Sequence, residues 1–87
     1  RYPVSIYTDS MPLTEAAVRN AKGKDKPYKM TDGHGLYVLV SPTGHKSWRW
    51  KYLFKGKEGL KVLGRYPDMP LREAREVRAD LDKARRR

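Results

Sequence analysis

Ser47-Trp48-Arg49-Trp50-Lys51-Tyr52-Leu53-Phe54 alternates without a break. Trp48, Trp50, Tyr52 and Phe54 fall on one side of an extended chain, with Ser47, Arg49, Lys51 and Leu53 on the other. The stretch is therefore a strand with one aromatic and one cationic face. The aromatic face has two competing uses: a core surface packed under a helix, or a platform on which unpaired bases stack. Four side chains of this size hide roughly 150–250 Å² each, a gross gain on the order of 15–25 kcal/mol at ~25 cal/mol/Å². A domain of 87 residues can hardly leave that area in water, so the core reading carries more weight.

Upstream of this strand, Ser41-Pro42-Thr43-Gly44 reads as a turn, with proline pre-set at its second position. Before it, Leu36 to Val40 is a strand by its β-branched and aromatic content. Tyr28 to Thr31 is a shorter one, bounded by Pro27 and by the turn residues Asp32-Gly33-His34-Gly35. Downstream, Lys55 to Gly59 turns the chain, and Leu60 to Gly64 forms the last strand before Tyr66-Pro67. From Pro70 the period becomes helical: Leu71, Ala74, Val77, Leu81 and Ala84 make one stripe, and Asp82 precedes Arg85 on the exposed side. That stripe requires an apolar partner, which the aromatic strand face supplies. Near the start, Thr14 is placed to cap a short helix containing Ala16 and Ala17, with Gly23 ending it. Leu13, Val18 and Ala21 give this helix only a thin apolar edge, so it reads as an appendage. The fold class expected is α+β: a small three- to four-stranded antiparallel sheet, a C-terminal helix packed on one face and a short N-terminal helix. Residues 1–10 show no period and read as an added or upstream-translated extension, the domain starting at Met11.

Twenty Lys and Arg against ten Asp and Glu give a net charge of +10, which points to a polyanionic partner. The excess is concentrated, because residues 44–57 contain five basic residues and no acid. A face built only for solubility mixes signs, so nucleic-acid contact is the stronger reading of Arg49 and Lys51, with Lys46, Lys55 and Lys57 beside them at the hairpin ends. His45, Lys61 and Tyr37 complete the candidate DNA-binding set. With no cysteine in the chain, disulfides, thiolate metal sites and cysteine nucleophiles are excluded, and a reducing, cytoplasmic setting fits. No apolar run approaches the ~20 residues that span a bilayer, so no membrane partner is expected. His34 and His45 sit in separate turns without partners at metal-ligand spacing. Gly33-His34-Gly35 precedes a strand where a phosphate-binding loop requires a helix. No cofactor is expected, and no nucleophile, paired carboxylate or triad pattern supports an enzyme acting alone.

Six segments extend this reading. Met11-Pro12-Leu13-Thr14 with Arg19-Asn20-Ala21-Lys22, Tyr28-Lys29-Met30-Thr31-Asp32-Gly33, Gly35-Leu36-Tyr37-Val38-Leu39-Val40, Gly44-His45-Lys46-Ser47-Trp48-Arg49, Leu63-Gly64-Arg65-Tyr66-Pro67 and Leu71-Arg72-Glu73-Ala74-Arg75 occur in this order. Together they resemble the N-terminal arm-type DNA-binding domain of phage and genomic-island tyrosine recombinases, or integrases. The resemblance spans residues 11–84. It departs from the family pattern at Lys61, where an apolar residue is common, and at Leu53, where a basic one is. Which side of the last strand faces the core is accordingly left open.

The resemblance implies a module that holds accessory arm sites of attachment DNA, its sheet in the major groove, within a bacterial, nucleoid-associated recombinase. The core-binding and catalytic regions would follow beyond residue 87, and other integrase protomers and DNA-bending proteins would be partners. Two other classes compete with duplex binding. An RNA or single-strand binder requires Trp48 or Trp50 exposed, and a basic protein-interaction module predicts little salt sensitivity. Deleting residues 1–10 is expected to leave both thermal midpoint and DNA affinity unchanged; a large drop in either would show that Tyr2, Ile6 or Tyr7 packs on the domain.

Overall fold

The alternating stretch forms the third of four strands. A computed structural model describes residues 12–86, along which run α1 (Glu15–Asn20), β1 (Tyr28–Gly33), β2 (Leu36–Val40), β3 (Lys46–Phe54), β4 (Lys57–Tyr66) and α2 (Leu71–Arg86). The strands make one antiparallel sheet in chain order, each joined to the next by a hairpin. The α+β architecture expected from the sequence is thus the architecture observed. Residues 1–10 and the start at Met11 lie outside the described residues.

Register puts Trp48 opposite Val38 and Gly64, and Trp50 opposite Leu36 and Lys61. Both indoles are buried, at 0% and 4% exposure. Trp48 packs with Val18, Leu36, Val38, Leu71 and Ala74 in the core between sheet and helices. A buried indole N–H without an acceptor is costly, and neither lacks one. Trp48 Nε1 donates to the Met69 carbonyl at 2.7 Å, just ahead of α2, and Trp50 Nε1 donates to the His34 carbonyl at 3.1 Å in the β1–β2 turn. Each bond ties a segment distant in sequence to β3. The aromatic face is not buried along its whole length, however. Tyr52 is half-buried and Phe54 is 44% exposed, because β2 ends opposite Trp50 and leaves β3 and β4 to continue as a two-stranded ribbon. On α2, Leu71 and Ala74 are buried, Val77 and Leu81 half-buried, and Ala84 exposed.

Three expectations about local structure need correction. The β3–β4 turn is Lys55-Gly56 alone, with φ of 52° and 80°, so β4 begins at Lys57, three residues earlier than expected. Positive φ at both turn positions matches the twist of the flanking strands, and Gly56 adopts it without strain. Gly59, expected in the turn, lies inside β4 opposite Tyr52, whose ring occupies the space a Cβ would need, 2.3 Å from the nearest ring atom. The first helix ends at Asn20 and not at Gly23, because Ala21 is already extended (ψ 137°).

That helix is also no appendage. Thr14 caps it as expected, its Oγ1 accepting from Ala17 N at 3.1 Å, but Val18 is fully buried in the core. Two carboxylates hold α1 there. Glu15 accepts from the Tyr66 hydroxyl at 2.7 Å and from the Leu71 backbone N–H at 3.2 Å, satisfying a donor that the first turn of α2 would otherwise leave open. Asp32, expected in a turn, is in β1, with its side chain only 8% exposed. It accepts from Leu13 N at 3.0 Å and from the Arg75 guanidinium at 2.8 and 3.0 Å, while Arg75 also donates to the Leu13 carbonyl at 2.8 Å. Because the Arg75 side chain is 41% exposed, the fork's net contribution is modest, and its role is chiefly to fix geometry.

Trp48→Ala is expected to cost about 3–5 kcal/mol, a large part of the 5–15 kcal/mol typical of a folded domain. Phe54→Ala is expected to cost far less. Urea unfolding followed by far-UV circular dichroism measures both; equal losses would contradict the placement of the core.

Candidate nucleic-acid interface

Both helices pack on one side of the sheet, and among the described residues the other side is left uncovered. Paired residues of antiparallel strands project to the same face, so the register gives this surface directly. Thr31, Tyr37, Arg49 and Val62 form one row across it, and Lys29, Leu39, Ser47 and Arg65 the next. On the ribbon, Lys51 pairs with Leu60 and Leu53 with Glu58. The face thus presents Lys29, Arg49, Lys51 and Arg65 against the single carboxylate of Glu58. Tyr37 is its only buried residue, at 8% exposure, with Lys29 Nζ 4.9 Å above its ring centre. Arg49 is half-buried and its Nε donates to Ser47 Oγ at 3.3 Å, which steadies the guanidinium along its own strand. An array of this kind attracts an anion over its full width and offers planar donors at its centre.

The candidate residues separate into groups. Arg49, Lys51 and Tyr37 lie together on the uncovered face. Lys55 is at the ribbon tip, its Nζ 5.4 Å above the Phe54 ring. Lys46, Lys57 and Lys61 pair with Tyr66, Phe54 and Trp50, and so project toward the helix side. Lys46 Nζ donates to the Arg19 carbonyl at 3.1 Å and lies 5.4 Å above the Tyr66 ring. Lys61, exposed, borders a shallow depression lined by Trp50, Tyr52, Phe54 and Leu81. His45 is exposed in the β2–β3 turn, where its Nδ1 is 2.8 Å from Thr43 Oγ1 and its backbone N–H donates to Ser41 Oγ at 3.0 Å. This turn and the Lys55 turn sit at opposite ends of β3, roughly 27 Å apart at ~3.4 Å per residue.

Sequence reasoning missed Lys29, Arg65, Leu60 and Val62 as members of this face. The cause is a β-bulge. Trp48 pairs with Gly64 but Arg49 pairs with Val62, leaving Leu63 as the extra residue. Leu63 packs against the core, and beyond it the alternation of β4 is reversed, so Lys61 joins Trp50 on the helix side while Val62 and Leu60 turn outward. This settles the facing of the last strand. Lys29 and Arg65 follow by simple alternation once their strands are aligned with β3.

Among the described residues, no group of three or more His, Asp or Glu is placed to hold a metal ion, and no helix is long and apolar enough to cross a membrane. The model of the family described as "Arm DNA-binding domain" matches residues 13–87. The chain is 45% identical over 64 residues to the integrase of Shigella phage Sf6, covering 74% of this chain and 17% of that protein. It is 47% identical over 66 residues to prophage integrase IntZ of Escherichia coli (strain K12), covering 74% and 16%. With the integrase of Enterobacteria phage P4 it shares 44% identity over 75 residues, covering 84% and 17%. The chain therefore spans about one sixth of the length of the curated relatives it matches.

The Tyr66 phenol at the margin of the site is expected to titrate above its ordinary value of 10.0, first because its hydrogen bond to Glu15 holds the proton, then through burial and the nearby Glu15 charge. A tyrosine pKa raised by folding stabilises the fold fully below its unfolded value, and that contribution is lost as pH rises through the folded value. In absorbance titrations near 295 nm, Glu15→Gln is expected to lower the Tyr66 pKa. An unchanged titration would contradict the Glu15–Tyr66 bond.

Proposed function

The chain belongs to the arm DNA-binding domain family, and we propose that it binds double-stranded DNA at arm-type sites of attachment DNA, as the accessory domain of a site-specific integrase. The β3–β4 ribbon enters the major groove with its uncovered face toward the bases. A major groove ~12 Å wide admits a two-stranded ribbon. The part of β3 and β4 that runs beyond β1 and β2 is such a ribbon, and Arg49 lies at its base, where β2 still pairs with β3. Arg49, a forked donor at mid-strand, is assigned to a guanine edge, with Lys51 and Tyr37 beside it. Lys55 and Lys57 at one end of β3, and His45 and Lys46 at the other, are assigned to flanking phosphates, which set register without reading sequence. Lys61 is assigned to a phosphate at the ribbon's edge.

One observation carries this reading above its competitors. The two tryptophans that a single-strand binder would need exposed are buried with their N–H groups bonded, while no described residue covers the cationic face opposite. In the longer protein, this domain would occupy residues 11–87 behind a dispensable extension. The strand-joining chemistry of a tyrosine recombinase would reside in a separate catalytic region, working with other protomers and DNA-bending proteins on nucleoid DNA in the cytoplasm.

Equilibrium titrations over a range of NaCl concentrations test the division of labour. Arg49→Ala is expected to cost about 1–3 kcal/mol on an attachment-arm duplex and much less on random DNA, narrowing the gap between them. Lys57→Ala is expected to weaken both alike and to reduce the salt slope by about one unit. Equal losses from Arg49→Ala on both duplexes would rule out sequence reading by the strand face.

A further inference from the structure

The uncovered face of β3 and β4 carries a feature that charge does not explain. Leu53, Leu60 and Val62 are 58%, 52% and 57% exposed, and all three lie on the uncovered face, opposite Glu58, Lys51 and Arg49 respectively. Exposed aliphatics scattered singly are ordinary. These three are neighbours, because Leu60 and Val62 are same-face residues of one strand, ~7 Å apart, and Leu53 is the diagonal cross-strand neighbour of Leu60, ~7–8 Å away. They form one apolar strip set among cations. The bulge at Leu63 creates it, by turning Val62 and Leu60 to solvent while Lys61 takes the place opposite Trp50. Hydrophobic burial alone would favour the reverse arrangement. A local pattern that runs against burial in an otherwise consistent fold marks a surface kept for contact.

We propose that Leu60 and Val62, with Leu53 beyond them, contact thymine 5-methyl groups in the major groove and so determine specificity together with Arg49. The proposal rests on the groove-insertion reading above. Thymine is the base that presents a methyl group in the major groove, and an aliphatic side chain is its natural complement. The surrounding charge favours DNA as the occupant over an apolar protein surface, since Arg49 and Lys51 pair directly with Val62 and Leu60, and the chain as a whole carries +10. With the Arg49 and Val62 Cβ atoms ~5 Å apart, the face reads a guanine and a thymine within one or two base steps of each other.

The test uses the duplex that the chain selects from a randomised double-stranded pool, with each thymine replaced in turn by deoxyuridine, which removes the methyl and keeps the pairing. At one or two positions the affinity is expected to fall about four- to tenfold, the weight of one buried methyl group, with the salt slope unchanged. Leu60→Ser combined with Val62→Ser is expected to bind the thymine and deoxyuridine duplexes equally, while keeping a cooperative thermal transition. Wild-type indifference to deoxyuridine at every position would overturn the proposal; if Arg49→Ala still narrows the gap between selected and random duplexes, groove insertion survives that loss. If Arg49→Ala leaves the gap intact, groove insertion falls as well. A double variant that binds DNA like the parent but changes its sedimentation mass would assign the strip to a protein contact and likewise overturn the proposal.

Discussion

Burial of Trp48 and Trp50 on one side of β3 is the constraint on which the rest of the structure depends. A strand has period two, so committing the even positions to the core commits Arg49, Lys51 and Leu53 to the opposite face. A slip of one residue would bury two cations and expose two indoles. The indole N–H groups reinforce the choice, because each must find an acceptor, and each finds a backbone carbonyl in a different part of the chain. Trp48 bonds to Met69 and so fixes where α2 begins, while Trp50 bonds to His34 and fixes the β1–β2 turn. Tertiary structure and the composition of the free face are set by the same two side chains.

The polar contacts of Glu15 and Asp32 act on this frame more as locators than as sources of stability. Glu15 joins α1 to Tyr66 and to the first turn of α2, and Asp32 joins β1 to Arg75 and to the residue preceding the α1 cap. All of them lie on the helix side. Among the described residues no element packs on the sheet's other surface, and most of its charge is of one sign. A domain of this size can leave one sheet face free for a partner because its core needs only one of the two faces.

Much of this was legible in the sequence, and what was not has specific physical reasons. The alternation of β3, the β-branched run of β2 and the three-and-four spacing of α2 are local patterns, and they gave the α+β class and a face containing Arg49 and Lys51. The length of the β3–β4 turn was hidden because Lys55 adopts a positive φ that its residue type seldom does. The burial of Val18 was hidden because it depends on carboxylate contacts spanning 19 to 56 residues of chain. Leu63 has no local signature as a bulge, since the extra residue exists only relative to β3, and with it went the facing of Lys61, Leu60 and Val62. The side taken by Lys46 was readable, because it shares parity with Trp48.

In the function proposed, one face of the sheet holds the fold and the other holds DNA. Backbone and indole chemical shifts, followed as an attachment-arm duplex is added to the isotopically labelled chain, test it most directly. The largest changes are expected on Arg49, Lys51, Leu60 and Val62 and at the Lys55-Gly56 turn, while the two indole N–H signals stay in place. Large changes at Trp48, Trp50 and α2, with the amides of the uncovered face unmoved, would contradict it.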